Sequence, residues 1–288
     1  MSDLLILGGT GCLGKSLTLK LSELNIPFRL LLHNSTPNSK NNLFGDILTE
    51  GLLDSQLSKN TVVLNMIGQY TGNSKIFIEQ NIIGGKNLLE SCIKNKIKRI
   101  ILISTINVYG NCESEPFTED DDTNPQTFYG LIKSITEQLY RYYSNRYDLN
   151  ITIIRLSNLY GPDQKTGLIS NLLTSEQIPC IISSNGNQTR DFLYVDDAID
   201  GICNVIKNDL DGFEIFNLSS GECYSIKKVI KNLEKINNKK LNVSFTSNQN
   251  DENCICANNS KARKELGFIP LTSLKNGLKK LQNNNYST

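Results

Sequence analysis

A short apolar run ending in a glycine-rich turn opens this chain. Leu4–Leu7 leads into Gly8-Gly9-Thr10-Gly11-Cys12-Leu13-Gly14, and an amphipathic stretch with leucines at 13, 17, 21 and 24 follows. A strand that runs through bare backbone directly into a helix is the start of a parallel α/β layer, because parallel strands need a crossover element. The same alternation continues. Pro27–Leu32, Thr61–Met66, Arg99–Ile103 and Ile151–Leu156 read as further strands, with helices over Ser74–Asn95 and Thr127–Tyr147 between them. Near-continuous apolar strands alternating with helices predict a doubly wound parallel sheet covered on both faces. From about Gly161 the elements shorten, with helices expected over Val195–Lys207, Ser225–Asn237 and Leu271–Gln282. The expected division is a first domain over 1–161 and a smaller region over 162–288, part of 190–217 packing back on the first domain.

Composition narrows the class. The 288 residues have room for a large core, and 39% of them are apolar. Thirty basic residues against 29 acidic ones give a net charge of +1 without a basic stripe, so neither nucleic acid nor a membrane surface is an expected partner. No apolar stretch approaches the roughly 18 residues of a spanning helix, and Asp3 with one short apolar strand is not a signal peptide, so a cytoplasmic location is expected. Eight scattered cysteines read as free thiols of a reducing compartment. Cys254 and Cys256 form a C-x-C pair without a second pair or a nearby histidine, so no metal site is expected. The acidic run Glu119–Asp122 reads as a solvated loop.

The glycine turn satisfies two patterns. Gly9-x-x-x-x-Gly14-Lys15-Ser16 is a literal phosphate loop, in which Lys15 and Ser16 would serve a nucleoside triphosphate and Mg²⁺. Gly8, Gly11 and Gly14 equally form the three-glycine turn that lets a dinucleotide pyrophosphate approach a helix N-terminus. A phosphate-loop enzyme needs a second apolar strand ending in Asp; here the candidate strands end in Asn65 and Ser104. The dinucleotide reading is therefore preferred. It also gives a role to Tyr129 and Lys133, which lie one helical turn apart, on one face. The Lys133 ammonium is expected to favour ionisation of the Tyr129 phenol, bringing a pKa of about 10 towards neutrality. A phenol so poised exchanges a proton with a carbonyl or alcohol oxygen while hydride moves at the attached carbon, and Thr105 would hold the same oxygen.

Together these residues resemble the extended short-chain dehydrogenase/reductase family, specifically its nucleotide-sugar epimerases, dehydratases and reductases, over nearly the whole chain. The segment 6–14 is similar to the family's cofactor turn, and Gly45-Asp46-Ile47 to its adenine-side loop. Asn81 matches the helix after the fourth strand. Ser104-Thr105-Ile106-Asn107-Val108-Tyr109-Gly110 is similar to the catalytic hydroxyl signature, and Tyr129-Gly130-x-x-Lys133 fills the acid/base place. Arg155-Leu-Ser-Asn158-Leu-Tyr-Gly-Pro162 resembles the strand passing nicotinamide and substrate, and Arg190-Asp-Phe-Leu-Tyr-Val-Asp-Asp197 the segment whose arginine holds the substrate diphosphate. The resemblance implies a Rossmann-type fold with Thr105, Tyr129 and Lys133 catalytic. It implies cofactor contacts from Gly8, Thr10, Gly11, Cys12, Leu13, Gly14, His33, Asn34, Asp46, Ile47, Asn65, Ile67, Asn81, Ser104, Tyr129, Lys133 and Leu156. Thr105, Asn107, Asn158 and Arg190 are the implied substrate contacts. An ion pair of Arg190 with Asp191 or Asp197 is the structural alternative.

Departures from the pattern shape the rest. Ile106 and Asn107 stand where the dehydratases carry Asp-Glu, so dehydration is disfavoured. Asn107 also replaces the Cys of the GDP-fucose synthases, and the lone histidine, His33, sits by the cofactor, leaving Lys165 or Cys112 as unusual acids. Ser-Asn-Gln-Asn-Asp-Glu (247–252) replaces the family's nucleotide-ribose arginine. The second strand ends in Leu32-His33-Asn34-Ser35 without the acid that NAD enzymes use, which leans the cofactor to NADP over NAD. The expected activity is oxidoreduction at C4 of a nucleotide-linked sugar, leaning to a 4-keto-6-deoxysugar reductase. A C4-epimerase retaining NAD is the alternative; a regulatory cofactor-binding protein and a phosphate-loop NTPase rank lower. Apolar surplus on Ser74–Asn95 and Thr127–Tyr147 predicts a homodimer.

Overall fold

The computed structural model describes residues 3–33, 42–68, 72–111, 116–164, 166–175, 179–246 and 254–285. Its elements in chain order begin with β1 (Asp3–Leu7), α1 (Cys12–Glu23), β2 (Phe28–Leu32), β3 (Leu43–Phe44) and β4 (Thr61–Asn65). They continue with α2 (Ser74–Ile78), α3 (Gly84–Lys94), β5 (Arg99–Thr105), α4 (Phe128–Tyr147), β6 (Asn150–Leu156), β7 (Asn158–Tyr160) and α5 (Leu168–Leu173). The remainder are β8 (Cys180–Ile182), β9 (Thr189–Tyr194), α6 (Val195–Lys207), β10 (Phe213–Leu218), β11 (Cys223–Ser225), α7 (Ile226–Asn237), β12 (Val243–Phe245), β13 (Cys254–Ile255), α8 (Ser260–Leu266) and α9 (Leu274–Asn285).

The main sheet has the order β3-β2-β1-β4-β5-β6-β10. Leu4 lies opposite Phe28 of β2, Leu7 opposite Asn65 of β4, and both pairings are parallel. Strand order therefore reverses between β1 and β4, the switch point outside whose carboxyl ends such sheets bind ligands. The expected doubly wound α/β fold is what the chain forms. Leu5, Leu7, Val63, Ile100 and Leu102 are at most 1% exposed and pack with Leu88, Leu89 and Tyr140 from the covering helices. At roughly 25 cal/mol per Å² of apolar area, each such side chain contributes about 2 kcal/mol before chain entropy is counted.

The chain forms two compact units: residues 1–108, 125–155 and 202–216 in the first, and 109–124, 156–201 and 217–288 in the second. The second carries the sheet β11-β9-β13, with β7 also paired to β9, and the two-stranded β12-β8. Tyr160 packs edge-on against Tyr194 there, ring centroids 5.3 Å apart.

Three expectations need correction. The single helix over Ser74–Asn95 is two helices joined by a wide π turn, Glu79–Ile83. The cysteines are not all thiols: Cys223 and Cys256 form a disulfide with Cα atoms 6.1 Å apart. Cys223 is on β11 and Cys256 follows β13, strands on opposite sides of β9, so the pairing comes from sheet order rather than sequence spacing. The acidic run is not wholly solvated, because Glu119 accepts a hydrogen bond from the Asn217 backbone N–H at 2.7 Å. Among the described residues no helix is long and apolar enough to cross a membrane.

Candidate active site

The glycine turn is built for close backbone packing. Gly8 has φ +82°, and a Cβ there would lie 2.9 Å from the Met66 carbonyl carbon, beyond β4. A Cβ on Gly14 would stand 2.6 Å from Gly8 O, so only glycine lets α1 start against the turn. Gly11 is the N-cap of α1 and no side chain caps it, which leaves the positive end of the helix addressed by backbone alone. A pyrophosphate fits that cradle. Thr10 is exposed, while Cys12 and Leu13 are half-buried in the first turn. Lys15 is exposed, and Ser16 donates its hydroxyl to the Cys12 carbonyl at 3.3 Å, so neither is arranged as a phosphate-loop pair.

At the sheet's adjoining edge the structure supplies a carboxylate the strand lacks in sequence. His33, just past β2, has its Nε2 3.3 Å from Asp46 Oδ2, while Asp46 Oδ1 accepts from the Leu48 N–H at 2.9 Å. The Ile47 carbonyl accepts from Asn87 Nδ2 at 3.1 Å. Asn65 is spent locally: its amide donates to the Tyr140 hydroxyl at 2.8 Å and its oxygen accepts from the Ile67 N–H at 3.0 Å. Asn34, Cys112 and Lys165 lie outside the described residues.

The catalytic candidates come together within the first unit. Thr105 ends β5 and is 5% exposed. Thr127 caps α4 by accepting from the Gly130 N–H at 3.0 Å, which places Tyr129 in the first turn of that helix and Lys133 one turn later. Burial pushes the Tyr129 phenol up to about 12, and the neighbouring Thr105 hydroxyl opposes that rise. Phe77 stacks on the Tyr129 ring, centroids 5.6 Å apart. Lys133 is 2% exposed; burial lowers its amine to about 8 and Glu137 draws it back up. Its Nζ donates to Asn81 Oδ1 at 3.3 Å, and Asn81 Nδ2 donates to the Phe77 carbonyl at 2.8 Å. The π turn holds Asn81 at this depth, and Gly68 must be glycine because a Cβ would meet the Asn81 oxygen at 2.4 Å.

Two supporting residues were not foreseen as a pair. Glu137, one turn beyond Lys133, accepts from Arg155 Nη2 at 2.7 Å and from Nε at 3.2 Å, and from the Ser104 hydroxyl. Ser104 thereby serves the frame under Thr105. The signal was present in the Tyr129, Lys133, Glu137 spacing, all on one helical face.

In the second unit, Asn158 on β7 donates to the Asp191 carbonyl at 3.0 Å. Arg190 on β9 is half-buried and donates to the Thr189 carbonyl at 2.7 Å. Asp191 accepts from the Ser220 N–H at 2.9 Å and Asp197 from the Thr272 N–H at 2.9 Å. Burial pushes Asp191 up to about 6 against those bonds. Leu156 is buried at the end of β6. No group of three His, Cys, Asp or Glu able to hold a metal occurs among the described residues.

Known proteins resemble this chain over most of its length. The model of the NAD dependent epimerase/dehydratase family matches residues 4–219. A UDP-glucuronate 4-epimerase of Thermodesulfobacterium geofontis is 32% identical, the match covering 73% of this chain and 66% of that protein. A dTDP-4-dehydro-6-deoxyglucose reductase of Escherichia coli is 30% identical over 97% of this chain and 96% of that protein. The crystal structure of a Bacillus cereus UDP-glucuronic acid 4-epimerase in complex with UDP-glucuronic acid and NAD superposes with a TM-score of 0.87. That match has 27% identity and covers 99% of this chain and 100% of the other.

Proposed function

This chain belongs to the NAD dependent epimerase/dehydratase family, and from that premise we propose that it oxidises and re-reduces C4 of a nucleotide-linked hexose, as a 4-epimerase that keeps its NAD. The observation that carries the reading is the buried Lys133–Asn81 pair one helical turn from Tyr129, whose phenol the Thr105 hydroxyl favours in its ionised form. Bound NAD would supply the hydride chemistry, held by the Gly8–Gly14 turn and the start of α1. Tyr129 takes the proton of the C4 hydroxyl as the carbonyl forms and returns it when the carbonyl is reduced. Thr105 steadies the phenol oxygen through that exchange. Lys133, charged below about pH 8, opposes the cost of a buried phenolate.

The cofactor reading moves from NADP to NAD. Asp46 brings a carboxylate beside His33 at the end of β2, and a carboxylate there repels a 2′-phosphate. Ile106 and Asn107 offer no acid or base after Thr105, which speaks against dehydration. In the second unit, Arg190 offers a planar fork suited to a substrate diphosphate. A 4-ketosugar reductase remains the second reading, favoured by the near full-length match to the Escherichia coli reductase.

The test supplies purified protein with UDP-glucose, UDP-glucuronate and their 4-epimers, without added cofactor, and identifies products by NMR. Conversion between 4-epimers is expected. Stoichiometric loss of NADH with a nucleotide 4-keto-6-deoxysugar, and no epimer, would establish the second reading instead. Neither activity across both panels would overturn the reading as a whole.

A further inference from the structure

Asn107 sits in a 3-10 turn, Ile106–Val108, directly after β5. Ile106 and Val108 are fully buried on either side, which anchors the turn and leaves Asn107 half-exposed between them. Its backbone is clamped as well: a Cβ on Gly130 would stand 2.4 Å from the Asn107 carbonyl oxygen, so α4 closes on this turn through bare glycine. Held there, Asn107 donates twice to one atom. Its backbone N–H reaches Thr105 Oγ1 at 3.2 Å, and its side-chain Nδ2 reaches the same oxygen at 3.0 Å.

A threonine hydroxyl has two acceptor positions and one proton. Asn107 fills both acceptor positions. The proton is then left for the Tyr129 phenol oxygen, whose ionised form the Thr105 hydroxyl favours. Were the Asn107 amide reversed, its oxygen would compete for that proton and Tyr129 would lose its donor. We propose that Asn107 is a positioning residue, whose two hydrogen bonds to Thr105 commit the Thr105 proton to Tyr129. Thr105 then acts as a donor throughout the cycle, stabilising the phenol oxygen when it is ionised. The catalytic meaning of this arrangement rests on the acid/base role proposed for Tyr129, whereas the arrangement itself does not.

The experiment is a double-mutant cycle between Asn107 and Thr105, read on Tyr129. NAD-loaded protein carrying [ζ-13C]tyrosine is followed by NMR from pH 6 to 10, the Tyr129 signal being assigned by its loss in Tyr129→Phe. Its shift reports the hydrogen bond at fixed pH and any ionisation across the range. Lys133 and Glu137, the charged groups one and two turns along α4, are present in every variant. Thr105→Val is expected to move the signal and to raise any midpoint by about one unit. Asn107→Leu should move both in the same direction by a smaller amount. Added to Thr105→Val, Asn107→Leu should change nothing further, since its effect passes through the hydroxyl. Asn107→Ser replaces the leucine variant if that one does not fold. An Asn107 effect of equal size in both Thr105 backgrounds, or none in either, overturns the proposal. A cycle that behaves as expected in a protein inactive on every nucleotide sugar would keep the positioning role and sink the proposed function.

Discussion

Lys133 carries an amine into the interior, where Asn81 and the field of Glu137 oppose the loss of water. The sign of the resulting pH dependence follows from proton counts. The folded amine titrates near 8 and the unfolded one at 10.5, so between those values the unfolded chain holds more protons. Stability therefore rises with pH across that window, as the folded state sheds a charge that is costly to bury. Lys133→Met abolishes this titration. Melting curves of both proteins without substrate should show wild type gaining on the variant from pH 7 to pH 10; a constant difference would show that Lys133 is not buried as a charge. Tyr129→Phe acts on chemistry instead. It removes the proton donor and leaves the glycine cradle and the Lys133–Asn81 pair in place. Turnover should fall by about 10³-fold, while NAD affinity, measured by calorimetry, stays within about threefold of wild type. Near-normal turnover would end the acid/base assignment. The sequence expectation had Lys133 bring the Tyr129 pKa towards neutrality; in the structure burial pushes it up to about 12 instead, and Thr105 is the group that opposes the rise. A helical spacing identifies which side chains share a face, whereas the partner of each terminal atom depends on other elements.

At the scale of elements, α4 is the part on which the site depends. Thr127 caps it, Gly130 lets it close on the turn at Asn107, and Glu137 ties it to Arg155 of β6 and Ser104 of β5. Gly130→Ala tests the close approach. The helix itself tolerates alanine better than glycine, so propensity favours the change by about 1 kcal/mol. The added carbon, however, would lie 2.4 Å from a backbone oxygen, and backbone must move. A net destabilisation of about 1–3 kcal/mol is expected in urea melts, with activity falling further than stability because Thr105 and Tyr129 separate. A variant as stable and active as wild type would show that the contact relaxes freely. The strands β1, β4, β5 and β6 and helices α1 and α4 were legible in sequence because each buries a continuous or periodic apolar face. The π turn was not, because Glu79–Ile83 keeps apolar residues at helical spacing and only the inward turn of Asn81 distinguishes it. Nor was β3, two residues long and set by pairing to β2. The Asp46 carboxylate beside His33 was equally hidden, since it joins residues that only β2–β3 pairing brings together.

For the whole molecule, the question left by the first unit is an apolar face that its own core does not cover. Leu131, Ile135 and Tyr142 on α4 are 45%, 40% and 60% exposed, at spacings of four and seven that put them on one side of the helix. Ile76 on α2 and Ile83 at the end of the π turn are 45% and 46% exposed. Meanwhile Ile132, Tyr140 and Tyr143 on the other side of α4 are buried in the core. An amphipathic helix needs one apolar stripe, and α4 has two. An exposed apolar stripe on a helix whose opposite side is already buried marks an interface more often than ordinary surface. A two-fold axis is the simplest way to cover it, because the same stripe then meets itself and the assembly closes. We therefore expect a homodimer with about 800 Å² buried on each subunit. Light scattering at micromolar concentration should give twice the 32.2 kDa chain mass. Leu131→Asp with Tyr142→Asp should give the single mass, since the two place a charge at either end of the stripe without touching the buried side of α4. A monomer mass for the wild type, with activity unchanged on dilution, would show that the stripe is ordinary surface.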